Sequence, residues 1–302
     1  VKVDMIPYHK GEVNMKKIIS VCLISIVLFS LTGCFRRDSF DNIEIYTTVY
    51  PIEYITERLY GENSDVKSIY PDGVDVNNFT LTNKQIADYS EAGLYIFNGL
   101  SKEKDYVVPM VNNNDNIKII DTTLSMEYNY GMEELWLDPS NLLMIAKNID
   151  TGFSEYIENY YLQDEIETNY EQLKIELSEL DAKIRLVAES SDEKTLVVGN
   201  SVFKFLEKYG FNVISLDEND ELTDKTINDV HNLIVNDQIH YIFVKKGAEV
   251  NETVQYFKNT YNIELLELHP LDNITETERD NKEDYFTLMN KNIDLLKNEL
   301  YN

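Results

Sequence analysis

The sequence predicts an α/β protein with two lobes and one long helix between them. Short runs rich in β-branched and aromatic residues alternate with helical patterns from residue 43 onward, and the alternation repeats after residue 194. Between these two regions lies the longest uninterrupted helical pattern of the chain. Because alternating strands and helices form parallel sheets with helical crossovers, we expect each lobe to contain its own parallel sheet.

The N-terminal α/β lobe is assigned to residues 43–160. It opens with the strand IEIYTTV, after which Pro51 marks the start of a helix that closes on Gly61. Three more short runs, DVKSIY, LYIFNG and IKII, have the composition of strands. Helical patterns at 82–92 and 101–110 separate them.

The C-terminal α/β lobe is assigned to residues 191–302 and repeats this order. Its strands TLVVG, NVISL, YIFV and IELLEL alternate with the helical stretches SVFKFLEKYG, DKTINDVHNLIVND and NETVQYFKNTY. A closing helix begins near Glu283. Each lobe is therefore expected to be Rossmann-like, with helices packed on a parallel sheet.

The linking helix is assigned to residues 161–190. Seven apolar residues recur there at spacings of four and three, with charged residues between them: Ile166, Tyr170, Leu173, Leu177, Leu180, Ile184 and Val187. A coiled-coil seam is the alternative, but about three heptads is a marginal length for one. We interpret the segment as a rigid connector that packs along both lobes.

The N-terminal region has the pattern of a lipoprotein signal. We expect the protein to start at Met15 and not at the upstream residues. Met15 precedes two lysines and an apolar run that ends in Leu-Thr-Gly-Cys, which resembles a bacterial lipobox. We expect cleavage to remove residues 1–33, a lipid on Cys34, and a tether over 34–42. An uncleaved anchor helix is the alternative, although the apolar run is short for a membrane span.

Cysteine content and charge restrict the function further. Cleavage would remove Cys22 and leave Cys34 lipidated, so the mature chain has no thiol for a disulfide, a Cys-ligated zinc site or a nucleophile. It would also remove four Lys and two acidic residues, changing the formal charge from −27 to −29. Such acidity argues against nucleic-acid binding. The acidic surface either concentrates cations near the protein or only keeps the protein soluble.

Catalytic motifs are missing from the sequence. It contains no Gly-x-Ser-x-Gly, no P-loop and no phosphate-binding glycine pattern, and three scattered histidines of the mature chain do not define a general base. Paired acids carry little information in so acidic a chain. We therefore expect a binding protein and not an enzyme.

Five phrases in register resemble a known family. IYTTVYPIEYITERLYG, GVDVNNFTLTNKQIADYSEAGLYIFNG, WLDPSNLLMIAKNI, FLEKYGFNVISL and DYFTLMNKNIDLLKNEL follow its order across nearly the whole mature chain. With the lipoprotein signal and the linking helix, the chain resembles the metal-type solute-binding lipoproteins of zinc or manganese ABC importers. The resemblance implies an ion held between two lobes.

The resemblance also implies four ligand positions, and this chain departs from the family at three of them. Asn77 stands where family members have a first His, and Glu134 stands at the second His, two residues before Trp-Leu-Asp-Pro. Asn200, with a pairing uncertain by one residue, stands at the third ligand. Only Asp272 keeps the expected residue type, and the His-rich loop of zinc-type members is absent.

These substitutions change the expected cargo. Family membership implies Zn²⁺ or Mn²⁺, whereas amide and carboxylate oxygens favour Mn²⁺, Ca²⁺ or Mg²⁺. His269, three residues before Asp272, is either a further ligand or an ordinary strand-end histidine. Lys245 and Lys246 end a strand where relatives often carry an acid. They are either solvated, or one ammonium replaces the metal charge and pairs with Glu134 or Asp272.

Two functions follow from this sequence. The first is an extracytoplasmic receptor, lipid-anchored to the outer face of the cytoplasmic membrane, that delivers a divalent cation to an ABC permease and its ATPase. The second is a surface scaffold or adhesion lipoprotein that keeps the fold but has a degenerate cleft without a metal.

Overall fold

The computed structural model describes residues 43–61, 64–220 and 222–301. The upstream extension, the signal and Cys34 lie outside these residues. Eight strands form two parallel four-stranded sheets within the described part of the chain. The first has the order β2-β1-β3-β4 and consists of β1 (Ile43–Thr47), β2 (Ser64–Ser68), β3 (Leu94–Phe97) and β4 (Lys118–Asp121). The second has the order β6-β5-β7-β8 and consists of β5 (Thr195–Val198), β6 (Asn212–Ser215), β7 (Tyr241–Lys245) and β8 (Glu264–Leu268).

Helices connect the strands in both lobes. The N-terminal lobe contains α1 (Tyr50–Tyr60), α2 (Asn83–Tyr89), a 3₁₀ segment (Lys102–Tyr106), α3 (Val107–Asn113), α4 (Glu134–Leu137) and α5 (Pro139–Tyr156). The long helix α6 spans Tyr160–Ser190. The C-terminal lobe contains a 3₁₀ segment (Ser201–Tyr209), α7 (Asp224–Val235), α8 (Glu252–Tyr261), α9 (Glu276–Asp280) and α10 (Tyr285–Leu300).

Local sequence signals account for several element ends. Pro51 lies in the first turn of α1, and Gly61 ends that helix with φ 66°, a left-handed conformation that suits glycine. Asn159 caps α6, since its side chain accepts hydrogen bonds from the backbone N–H of Tyr161 and Leu162. The 101–110 pattern, expected to be one helix, is split into a 3₁₀ turn and α3.

The helix α6 packs along both lobes through its apolar stripe. All seven stripe residues are buried. The helix contacts α1 and α5 on the N-terminal side, and α10 and the Ser201–Tyr209 segment on the C-terminal side. One hydrophobic core runs through the N-terminal lobe and along α6 to α10, and a second, smaller core covers the outer face of the C-terminal sheet. The prediction of two α/β lobes joined by one long helix is confirmed.

The central strand β5 of the second sheet is buried on both faces. Leu196 and Val198 belong to the large core, whereas Val197 between them belongs to the smaller one. Both faces of a parallel sheet are covered, so successive residues need to be apolar. No helix among the described residues has the length and hydropathy needed to cross a membrane.

Candidate metal centre

The candidate site lies where the carboxyl ends of the two sheets face each other. Asn77 follows β2, Glu134 follows β4, and Asn200 follows β5. Lys245 is the last residue of β7, and Asp272 follows β8. In open parallel sheets, ligands bind outside the carboxyl ends of the strands.

Two cavities meet at this position. The larger has a volume of about 310 Å³ and is bounded by residues 73–77 of the N-terminal lobe and by residues 245–248 and 269–275 of the C-terminal lobe. The smaller, of about 210 Å³, lies mainly against the N-terminal lobe. Asn77 and Asp272 line both cavities. Of the four family positions, these two are therefore brought to one place.

An ion pair crosses the cleft beside them. The ammonium of Lys245 pairs with Oε1 of Glu133, and the two side chains are only 18% and 14% exposed. Lys245 and Asp272 both line the larger cavity, and Glu133 and Asp272 both line the smaller one. Burial raises the pKa of the Asp272 carboxyl, although the nearby Lys245 ammonium opposes that rise. A protein cation thus lies within this cluster of carboxylates.

Glu134 is engaged by backbone groups of its own lobe. Its Oε2 accepts hydrogen bonds from the backbone N–H of Asn129 and Tyr130, at 2.9 and 3.1 Å. The side chain therefore holds the loop that leads into α4. The sequence hypothesis that Lys245 pairs with Glu134 is corrected here, because the neighbouring Glu133 provides the carboxylate.

Asn200 is engaged by the backbone at the end of β7. Its Oδ1 accepts a hydrogen bond from the backbone N–H of Lys245 at 2.8 Å, and Asn200 lines neither cavity. This contact fixes the position from which the Lys245 side chain extends. Asn200 remains a ligand only as a proposal from the family pairing.

Both ring nitrogens of His269 have partners. Nδ1 accepts a hydrogen bond from the backbone N–H of Leu271 at 2.9 Å, and Nε2 lies 3.2 Å from Oε1 of Glu278. Burial lowers the pKa of His269, although Glu278 favours the charged form. A neutral ring that accepts at Nδ1 carries its proton on Nε2. This arrangement leaves no lone pair for a metal without a change of partner.

The described residues, searched across both lobes, contain no group of three or more His, Cys, Asp or Glu side chains placed to hold a metal ion.

Sequence reasoning missed Glu133 as a residue of the cleft. The only signal for it is the Glu133-Glu134 doublet, and the start of α4 between the two residues decides which carboxylate enters the cleft. A resemblance that pairs one family ligand with one residue cannot show which of two adjacent carboxylates reaches the cleft.

Several polar contacts join the lobes around the cleft. The Arg279 guanidinium contacts both carboxylate oxygens of Asp72 at 2.8 Å and also reaches Glu53. The Asn273 side-chain amide donates to two carbonyls of the 71–74 loop, each at 2.9 Å. The Trp136 indole N–H donates to the Pro270 carbonyl at 2.8 Å. The loop that carries Asp272 is therefore docked on the N-terminal lobe.

Comparisons with known proteins agree with this architecture. The chain is 23% identical over 324 residues to the zinc-binding protein AdcA of Streptococcus pyogenes, which covers 93% of this chain and 61% of AdcA. It is 22% identical to the high-affinity zinc uptake system protein ZnuA of Bacillus subtilis, covering 86% of this chain and 88% of that protein. The chain thus spans about three-fifths of the length of the AdcA relatives it matches.

A solved structure shows the same fold. The crystal structure of the metal-dependent lipoprotein YcdH from Bacillus subtilis superposes with a TM-score of 0.71 at 19% identity, covering 86% of this chain and 99% of that one. The family model described as the periplasmic component A of zinc-uptake complexes matches residues 45–299. This match includes both lobes and the helix between them, and the chain therefore belongs to that family, ZnuA.

Proposed function

We propose that this protein is an extracytoplasmic solute-binding lipoprotein that captures a divalent metal cation between its lobes and delivers it to an ABC permease and its ATPase. One observation carries the proposal: Asn77 and Asp272, from opposite lobes, line the same two cavities at the carboxyl ends of both sheets. The relatives AdcA and ZnuA are named for zinc binding and zinc uptake.

The donors in this cleft favour a harder cation than zinc. Asn77 and Asp272 offer amide and carboxylate oxygens, which suit Mn²⁺ or Ca²⁺, whereas imidazole nitrogen suits Zn²⁺. Two such donors hold an ion weakly unless others join them. Glu134 and Asn200 are candidates by family position, and His269 is a candidate because it lies three residues before Asp272. We therefore propose a low-affinity site for an oxygen-preferring cation.

Membrane attachment is proposed through a lipid on Cys34, which places the protein on the outer face of the cytoplasmic membrane. Two or three acyl chains anchor a protein firmly, at about 0.8 kcal/mol per buried methylene. Replacing Cys34 by Ala should release the protein from the membrane fraction. Retention of that variant in the membrane would contradict lipid anchoring.

Transport is tested by measuring cellular accumulation of Mn²⁺ and Zn²⁺ in cells that lack the protein and in cells that regain it. We expect the wild type to restore accumulation and Asp272→Ala to fail. Asp294→Ala, on an exposed turn of α10, is the control and should restore it fully. Equal accumulation with and without the protein would reject the transport function.

A surface scaffold or adhesion lipoprotein is the second candidate. The Lys245–Glu133 pair supports it, because this pair neutralises charge in the cleft without a metal. In that case, removal of the protein would change attachment of cells to a surface and leave metal accumulation unchanged.

A further inference from the structure

The adjacent lysines at the end of β7 make different contacts. Lys245 Nζ turns into the cleft and pairs with Glu133 of the opposite lobe, whereas Lys246 Nζ lies 2.6 Å from Glu278 of its own lobe and is 42% exposed. Lys245 is the last residue of β7, and Lys246 lies in the turn that follows it. Both lysines border the larger cavity, and Lys245 is the one whose ammonium pairs with the opposite lobe.

The backbone holds Lys245 in this position. Its N–H donates to Oδ1 of Asn200 at 2.8 Å, and the residue pairs with Leu268 in the β7–β8 ladder. The next residue, Lys246, donates its N–H to the Leu268 carbonyl at 2.8 Å. The ammonium thus extends into the cleft from a fixed strand end.

The charges around this ammonium are those that a bound cation needs. Glu133 contacts it directly, and Asp272 lines the same cavity as Lys245. Weakly exposed carboxylates require a nearby positive charge, because an unpaired buried charge is strongly unfavourable. One ammonium meets this requirement, and a divalent ion placed beside it would be repelled by a like charge.

We propose that Lys245 is the resident cation of the cleft and determines its specificity: a divalent ion binds between Glu133 and Asp272 only after the Lys245 ammonium leaves. This inference rests on the proposed function, in which the cleft receives a divalent cation. The lysine lowers the affinity for any such ion and keeps the two lobes joined while the cleft has no cargo.

The test is isothermal titration calorimetry with ZnCl₂, MnCl₂ and CaCl₂ on metal-stripped protein. Lys245→Met removes the charge and keeps the length of the side chain, and it should bind at least one of these ions tighter than the wild type by about tenfold or more. Lys225→Met, 85% exposed on α7 and outside both cavities, is the control and should remain within about twofold of the wild type. Adding Asp272→Asn to Lys245→Met should abolish the gain.

Folding of each variant is checked by thermal melting. If Lys245→Met unfolds because Glu133 loses its partner, Lys245→Gln replaces it, since its amide still donates to that carboxylate. Unchanged or weaker binding in the folded variant overturns the inference, as does an equal gain in Lys225→Met. Binding by Lys245→Met together with no binding by the wild type supports the inference and rejects only the proposed capture of free cations by the native protein.

Discussion

Asn77 is held by local turn chemistry. Its backbone N–H donates to Oδ1 of Asp75 at 2.9 Å, and its carbonyl accepts from the Lys102 ammonium at 2.8 Å. The side chain is exposed, and the residue lines both cavities. A substitution here changes a donor without disturbing the core.

We expect Asn77→His to strengthen zinc binding, because imidazole restores the borderline-soft donor that the family has at this place. The neighbouring Asn78→His is the control, since Asn78 is exposed and lies outside both cavities. Calorimetry with ZnCl₂ measures both variants. The pairing of Asn77 with the family's first ligand would be wrong if the two variants bound zinc equally.

The carboxyl of Glu103 predicts a pH dependence of stability. Burial raises its pKa, although hydrogen bonds from the Asn98 N–H and the Tyr70 hydroxyl oppose the rise. The pKa of a glutamate carboxyl in the unfolded chain is about 4.3. Because the pKa of Glu103 is raised in the folded protein, the contribution of its neutral carboxyl to the free energy of unfolding is fully present below about pH 4.3. This contribution is lost as pH rises through the folded pKa.

Glu103→Gln removes this titration. The melting temperature of the variant, measured against that of the wild type, should therefore increase between about pH 4.5 and pH 8. Glu91→Gln, at an exposed position, is the control and should show no such trend. A difference between Glu103→Gln and the wild type that does not change with pH would contradict the burial argument.

Among the elements, α6 is the clearest case of structure predicted from sequence. Its stripe at spacings of four and three is buried along its whole length, because both lobes supply apolar partners. The central strands β3 and β5 were predictable for a related reason, since a sheet covered on both faces leaves short apolar runs. The 3₁₀ form of the Ser201–Tyr209 helix could not be predicted, because apolar periodicity does not distinguish an α-helix from a 3₁₀ helix over nine residues.

Leu173 tests the contribution of that stripe to stability. It is fully buried, so Leu173→Ala should lower the free energy of unfolding by about 2–5 kcal/mol. Ile175 lies two residues along the same helix and is 54% exposed, and Ile175→Ala should change stability by about 0.5 kcal/mol or less. Urea denaturation measures both. Similar losses in the two variants would show that the stripe does not anchor the helix.

At the scale of the whole molecule, the two lobes are joined by more than α6. The Arg279, Asn273 and Trp136 contacts tie the Asp272 loop to the N-terminal lobe. A long packed helix and several docked loops oppose hinge bending. Cation binding should therefore involve local movement of side chains and loops.

Small-angle X-ray scattering with and without MnCl₂ measures this rigidity. We expect the radius of gyration to stay the same within experimental error. Arg279→Ala removes the interlobe contacts to Asp72 and Glu53 and should leave the result unchanged, because Asn273 and Trp136 still join the lobes. A marked decrease in the radius of gyration on adding MnCl₂ would contradict a rigid connection.

The site was less predictable than the fold. Sequence resemblance placed Asn77 and Asp272 at the cleft, and both line it. It assigned the second ligand to Glu134, whereas Glu133 lines the cleft and pairs with Lys245 of the opposite lobe. Side-chain direction at strand and helix ends depends on tertiary packing, which a single sequence does not specify.

We propose that the cleft of this family member contains oxygen donors and an internal ammonium and does not hold zinc with high affinity. Titration of ZnCl₂ into metal-stripped wild-type protein tests it most directly. We expect no dissociation constant tighter than about 1 μM, equivalent to about −8.2 kcal/mol. A nanomolar dissociation constant, near −12.3 kcal/mol, would contradict the claim and would require His269 and Lys245 to leave their present partners when zinc binds.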